Sequence, residues 1–373
     1  MHDPRNDRLA EIIVSHSLKL RKGEKILIQG TGLASEPLIR ALIRAAKEAG
    51  ALPLYTIENT ETLREWLKDA DPAMMDLAAE NDAAKMRLMD AYVGFTAPEN
   101  ALELADIPSE IMTLYQERYV DPVHMKIRLP DTRWVVLRYP TRAFAQSAGM
   151  SFEAFEEWYY RVCTVDYGRM GRAMAPLKSL MEKTDRVRIL GPGETDLSFS
   201  IRGIPVIPCV GERNIPDGEI YTAPVKDSVE GVIAYNTSSI RDGFEFTNIR
   251  FRFEKGRITE ASANDSERLS AILDTDEGAR FIGEFALGVN PFVESPVNNT
   301  LFDEKIRGSI HFTPGNSYET AFNGNRSAVH WDIVLLQEER RGGGEIWFDG
   351  VLVRKDGRFV LPELEGLNPE NLV

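Results

Sequence analysis

Four stretches carry side chains that could do chemistry. In NRSAVHWDIV, Asn325 to Val334, His330 and Asp332 stand two residues apart inside an apolar run that reads as a strand. Side chains alternate along an extended chain, so these two project to one side while Val329, Trp331 and Ile333 take the other. An imidazole and a carboxylate fixed side by side make half of a site for a divalent metal. A His–Asp hydrogen bond on a solvated sheet face is the simpler use of the same pair. GSIHFTPG carries His311, which opens a Gly-, Pro- and Asn-rich loop leading back to His330. Sites are commonly built on loops tethered between strands, and Tyr318 offers a phenol in this one. NIPDGEIYTAP places Glu219 at a strand start just after a Pro-Asp-Gly turn, where a solvated turn acid is the plain alternative. DEGARFIGEFALG reads as a helix over Asp276 to Leu287. Glu284 lies one position off its apolar face of Ala279, Ile282, Phe285 and Ala286, so periodicity alone makes it an exposed helix glutamate.

Other chemistry finds less support. There is no GxSxG elbow, and neither Cys163 nor Cys209 has a histidine near it in sequence. Cys209 sits in the apolar run IPVIPCV and reads as a small buried hydrophobe. His2 is terminal, His16 lies on an apolar helix face, and His124 stands in a loop without an evident partner. GTGLAS, Gly30 to Ser35, approaches a dinucleotide fingerprint, with Glu58 near the place of a ribose-binding acid. Its third glycine is replaced by Ser35, and a doubly wound fold without a nucleotide explains the near miss better.

The elements that must position these residues fall into two halves, as a length of 373 residues allows. KILIQG, ALPLYTIE, DAYVGFTA and RWVVLRYP read as strands separated by helices. The first helix carries Leu9, Ile12, Ile13 and His16. The second, capped by Ser35, carries Leu38, Ile39, Leu42, Ile43 and Ala46. Alternation of this kind predicts an α/β fold with a doubly wound parallel sheet. A helical region spans about Ser151 to Lys183. Beyond it, short alternating strands broken by Gly, Asn and Asp predict a mostly β, α+β domain carrying the metal site. The expected boundary lies at Thr184–Asp185, giving domains 1–184 and 185–373.

The net charge of −14 argues against a nucleic-acid partner, which calls for a basic stripe. No run of about 18 apolar residues predicts a membrane span. The first residues lack the basic and apolar regions of a signal peptide. With two cysteines outside any disulfide framework, the expected setting is the cytoplasm.

Taken as ordered blocks, the sequence resembles the thermophilic-type leucyl aminopeptidase family, that of aminopeptidases T and S. The first half matches in GALP (Gly50 to Pro53), in the Asp90 strand and in RWVVLRYPTRAFAQSAGMS. The second half is closer, in TDLSFSIRG, NIPDGEIYTAPVKDSVEG, GARFIGEFALGVNPF, LFDEKIRGSIHF and NRSAVHWDIV. The resemblance implies a metal site on Glu219, Glu284, His311, His330 and Asp332 with Tyr318 nearby. It implies a homodimeric two-metal exopeptidase that removes N-terminal residues from peptides with a free N-terminus. Two departures bear on specificity: the loop from His311 to His330 is shorter than the family's, and Thr313-Pro314 replaces a small-aliphatic pair.

Oxygen and imidazole donors without a thiolate suit zinc, cobalt or manganese in a catalytic role. Two such ions about 3.5–4 Å apart would lower the pKa of a shared water toward roughly 7. Tyr318 would donate to the developing oxyanion or join the metal shell, and Glu284, or else Glu219, would carry the proton. The alternative is a mononuclear Fe(II) ring-cleaving dioxygenase on the same fold, held by His311, His330 and Asp332.

Overall fold

The computed structural model describes residues 2–373. The chain divides into two compact units, one of residues up to 164 with 211–216, the other of residues 165–210 with 217–373.

The first unit is built on a parallel sheet. β1 (Lys25–Thr31), β2 (Leu52–Glu58), β3 (Ala91–Thr96) and β4 (Arg133–Arg138) lie in the order β2-β1-β3-β4, and Asn214–Ile215 pairs beside β4. Every pair runs parallel. Ile26, Leu27 and Ile28 are buried in succession, as a strand covered on both faces requires. The helix Glu36–Glu48 buries Leu38, Ile39, Ala41, Leu42 and Ala46, close to the expected stripe. Ser35 does not cap it. Its backbone is already helical, and its hydroxyl donates to the Gly32 carbonyl at 2.6 Å.

Packing accounts for GTGLAS. Gly32 has φ +102°, and a Cβ there would stand 1.9 Å from the Ala97 carbonyl oxygen. Glu58 accepts a hydrogen bond from Gln29 at 2.5 Å and so is tied to its own sheet.

The second unit stacks two antiparallel sheets. The larger has eight strands, from Arg257–Ser262 at one edge to Arg358–Phe359 at the other. The smaller is made of β5 (Ile207–Cys209), β6 (Glu219–Thr222), β7 (Ile282–Gly288), β8 (Ser309–Pro314) and β9 (Val334–Leu336), in the order β9-β8-β7-β6-β5. Phe285 of β7 lies opposite Phe312 of β8. Both meet Phe199 of the larger sheet, with ring centroids 5.1 and 5.2 Å away. Such aromatic contacts add about 0.5–1.5 kcal/mol each beyond burial. Because strand side chains alternate, fixing Phe285 and Phe312 on the core face sends Glu284, His311 and Thr313 to the other face.

Three further expectations change. Ile282–Gly288 is a strand, not a helix, and only Glu277–Arg280 forms a 3-10 turn, capped by Asp276. All seven residues of β7 are buried, so its apolar run shows no period of two and mimics helical spacing. In NRSAVHWDIV, regular strand begins only at Val334, and His330 forms one isolated bridge to Gly315. Alternation persists there, with Val329, Trp331 and Ile333 buried. The helical region breaks into Phe152–Cys163 and Tyr167–Met181. The later helix belongs to the second unit and buries Met170, Met174, Leu177 and Met181, so the units divide at Thr164–Val165 instead of Thr184–Asp185.

His124 packs edge-on against Tyr92 and Tyr119, each centroid 6.1 Å away. Burial, helped by the Arg128 charge, pushes its pKa down to about 4. The unfolded chain therefore takes up this proton first as pH falls. The stability at stake is present above about pH 6.5 and is lost toward pH 4. Urea unfolding at pH 7.5 and pH 5 should show His124→Phe losing about 2 kcal/mol less than the parent over that step. Equal losses would remove His124 from the acid response.

Candidate metal centre

The polar face of the smaller sheet gathers the site. Glu219 opens β6, Glu284 is the third residue of β7, and His311 is the third of β8. Register places Ala286 opposite both Tyr221 and His311, which aligns the three strands on this face. His311 Nε2 lies 2.9 Å from Glu284 Oε1 and 3.4 Å from Glu219 Oε2. His330 Nε2 lies 3.3 Å from Asp332 Oδ1 and 3.7 Å from Glu284 Oε2. The Tyr318 ring sits over His330 at 4.7 Å and meets Tyr221 at 5.8 Å. All six expected site residues thus come together, whereas His2 pairs with Asp7 at the surface and His124 lies in the first unit.

His330 reaches this place without a strand ladder, so other contacts hold it. Its Nδ1 meets the Asn316 carbonyl at 2.8 Å, which turns Nε2 toward Glu284 and Asp332. The Asn316 backbone passes so close to β7 that a Cβ on Gly283 would stand 2.1 Å from its oxygen. Asn325 donates to the carbonyls of Gly278 and Gly315, and Asn323 to those of Pro224 and Ile282. Asp276 accepts from the Ser327 hydroxyl and the Ala328 amide. Thr313, expected to border the substrate, donates to Asp332 Oδ1 at 2.7 Å and so fixes a site carboxylate.

Electrostatics bind the cluster together. Burial raises Glu284 above the usual carboxylate range, although the hydrogen bond and charge of His311 oppose it. Burial alone would lower both histidines. The Glu284 hydrogen bond and the surrounding carboxylates bring His311 up to about 9, and Asp332 with Glu284 brings His330 up to about 10. Burial would raise Asp332, but the charge and hydrogen bond of His330, the His311 charge and the Thr313 hydroxyl together outweigh it and hold the carboxyl far below its ordinary range. Burial and the nearby carboxylates keep Tyr318 protonated as a donor.

A residue the sequence did not single out anchors one side. Lys305 is fully buried, with Nζ 2.5 Å from Glu219 Oε1, 2.7 Å from Glu304 Oε1 and 3.7 Å from Asp217 Oδ1. These carboxylates keep the ammonium charged despite burial. Burial pushes Glu304 up to about 8, opposed by Lys305. In sequence, Asp-Glu-Lys at 303–305 reads as a solvated charge run. The available signal was its setting, between the apolar Leu301-Phe302 and the strand of His311.

Two groups of donors could each hold a metal ion: Glu219, Glu284 and His311, and Glu284, His330 and Asp332. Within each, the donor atoms lie within 4.8 Å of one another. Glu219 Oε2, Glu284 Oε2 and His330 Nε2 are buried without a hydrogen bond, as atoms reserved for a cation would be. A third group, Cys209, Asp217 and Glu219, surrounds the place Lys305 fills. Burial raises the Cys209 thiol well above its ordinary range, which disfavours a thiolate ligand.

The family model described as thermophilic metalloprotease (M29) matches residues 2–359. The chain belongs to that family. As a thermophilic-type metalloprotease it requires a divalent metal, and the oxygen and imidazole donors fit one. It is similar to Aminopeptidase 2 of Geobacillus stearothermophilus, at 27% identity over 94% of each chain. Wild-type AmpT from Thermus thermophilus shares its fold, with TM-score 0.81, 24% identity, and 96% of this chain matched to 99% of that one. A 2,5-dihydroxypyridine dioxygenase from Pseudomonas putida is more distant, with TM-score 0.63, 14% identity, and 96% matched to 98%. Among the described residues, no helix of this metalloprotease is long and apolar enough to cross a membrane.

Removing Lys305 leaves Glu304 and Asp217 without a cation and Glu219 with only His311 against it. Lys305→Met should destabilise the metal-free protein by roughly 3–5 kcal/mol. Adding Glu304→Gln should recover part of that loss. Denaturant unfolding of both variants checks this, and a Lys305→Met protein as stable as the parent would contradict it.

Proposed function

We propose that this metallopeptidase removes N-terminal residues from peptides, using two divalent ions held by Glu219, Glu284, His311, His330 and Asp332. One observation carries the reading: the two three-donor groups share Glu284, so each ion would have three protein donors and a common carboxylate. Zinc, cobalt and manganese suit such a set. The same reading takes the enzyme to be a cytoplasmic homodimer, as the family resemblance and the absence of a disulfide framework suggest. A single ferrous ion on His311, His330 and Asp332 would give Glu219 no ligand role, although its Oε2 is buried without a hydrogen bond. The dioxygenase reading is therefore not favoured.

Bound divalent ions would polarise the scissile carbonyl and supply a water of lowered pKa. The side chains do the rest. Glu219, locked by Lys305 at 2.5 Å, is the fixed acid of the pair. Glu284 has no lysine or arginine against it and pairs instead with His311 and His330. It suits a group that takes a proton and returns it to the leaving amine. Tyr318 is 47% exposed and its ring lies tilted against His330, so its hydroxyl can reach an incoming substrate and donate to the oxyanion. Asp332 and Thr313 orient His330 from one side and Asn316 does so from the other.

Glu284→Gln preserves shape and removes the proton acceptor. Its kcat on an aminoacyl p-nitroanilide should fall at least ~100-fold while the far-UV spectrum stays that of the parent. Near-parent turnover would take the proton-carrying role from Glu284.

A further inference from the structure

Side chains, instead of a further strand, close the edge of the smaller sheet that carries His330 and Asp332. β9 is the outer strand of that sheet, and the segment of His330 leads into it. Residues 236–241 meet this edge in reverse order, as an antiparallel strap. Asn236 accepts from the Leu336 amide and donates to the Leu336 carbonyl, each at 2.9 Å. Thr237 donates to the Val334 carbonyl at 2.6 Å. Ser239 Oγ accepts from the Trp331 indole at 2.8 Å, and Arg241 Nη1 donates to the His330 carbonyl at 3.1 Å. Backbone groups buried at a sheet edge require such partners.

The end of the strap is a hairpin. Ser239–Arg241 and Phe244–Phe246 pair antiparallel and join no other sheet. Asp242 and Gly243 turn the chain with φ +51° and +74°, as a two-residue hairpin loop requires. Residues opposite one another share a face, so Ser239, Arg241, Phe244 and Phe246 lie together and Ile240 faces away, exposed. That face grips the buried Trp331. Phe246 meets its ring edge-on at 5.0 Å, and the Arg241 guanidinium lies over it at 5.4 Å. A lone two-stranded hairpin is marginally stable, so Trp331 anchors the hairpin as the hairpin anchors Trp331. Trp331 stands between His330 and Asp332 in sequence and projects away from them, so this grip sets the direction of both from behind. We propose that the hairpin, through Arg241, positions one of the two metal sites, that of Glu284, His330 and Asp332. The inference rests on the two-ion reading. Glu219, Glu284 and His311 sit on strands paired to one another, whereas His330 and Asp332 take their outer edge from the strap. The two metal positions are therefore unequal, and loosening the hairpin weakens one ion while sparing the other.

The test is a stepwise zinc titration of the chelator-treated full chain, followed by calorimetry and metal analysis. Parent, Arg241→Ala, Arg241→Lys and Ile240→Ala proteins are compared. The parent should take up two ions. Arg241→Ala should weaken one step about tenfold or more, the usual scale for groups that hold metal ligands in place, and leave the other within about threefold. Arg241→Lys, which keeps a cation and a donor, should weaken the same step less. If Arg241→Ala does not fold, the selective loss must appear in Arg241→Lys. Ile240→Ala, on the outward face of the same hairpin, should titrate like the parent. At excess zinc, turnover of leucyl p-nitroanilide by Arg241→Ala should return to within about threefold of the parent, since mass action refills the weakened position. Arginine variants that bind both ions like the parent would overturn the inference while the two-ion reading stands. Equal weakening of both steps, or an Ile240→Ala protein just as impaired, would overturn it too, as a general loss of structure. A parent that takes up a single ion sinks the two-ion reading itself, and the inference with it.

Discussion

Five buried or nearly buried carboxylates, three of them against one lysine, set the terms for this structure. Asp217, Glu219, Glu284, Glu304 and Asp332 bring five negative charges, and Lys305 returns one positive. Isolated charges are not tolerated in a protein interior. Without metal, His311 and His330 hold protons well above their ordinary range, and Glu284 and Glu304 gain proton affinity. These are the responses of a cluster short of positive charge. Two divalent cations would supply the four missing charges and free both imidazoles to ligate. The two-ion reading proposed above accords with this deficit of positive charge as well as with the donor grouping.

The sandwich makes that cluster possible. Phe285 and Phe312 bury one face of the smaller sheet against Phe199, and the alternation of each strand delivers Glu284 and His311 to the other. Strand geometry alone cannot supply His330. That residue arrives on an irregular segment pinned by Asn323, Asn325 and Asp276, and the backbone approach at Gly283 needs a glycine. A rigid sheet thus carries three ligand candidates, and a hydrogen-bonded loop carries the other two and Tyr318.

Much of this was legible in the sequence, for reasons that differ by residue. The His330–Asp332 pair was readable because alternation survives in an extended segment even without a ladder. The parallel sheet was readable from its alternating elements. Glu284 was misplaced onto a helix because β7 is buried on both faces, and a continuous apolar run has no period that separates strand from helix. The later helix of the expected first domain, Tyr167–Met181, went to the other unit because sequence periodicity shows which face is buried but not against what. Lys305 and Glu304 were illegible as site residues. Charged triplets are normally solvated, and only the fold turns this one inward.

Metal analysis of the purified full-length protein, titrated against activity, tests the central claim most directly. The account predicts that activity on leucyl p-nitroanilide, abolished by chelation, returns as zinc, cobalt or manganese reaches two ions per chain. It also predicts that Asp332→Asn lowers the stoichiometry to one. Full activity at one ion per chain, or restoration by ferrous iron alone, would contradict it.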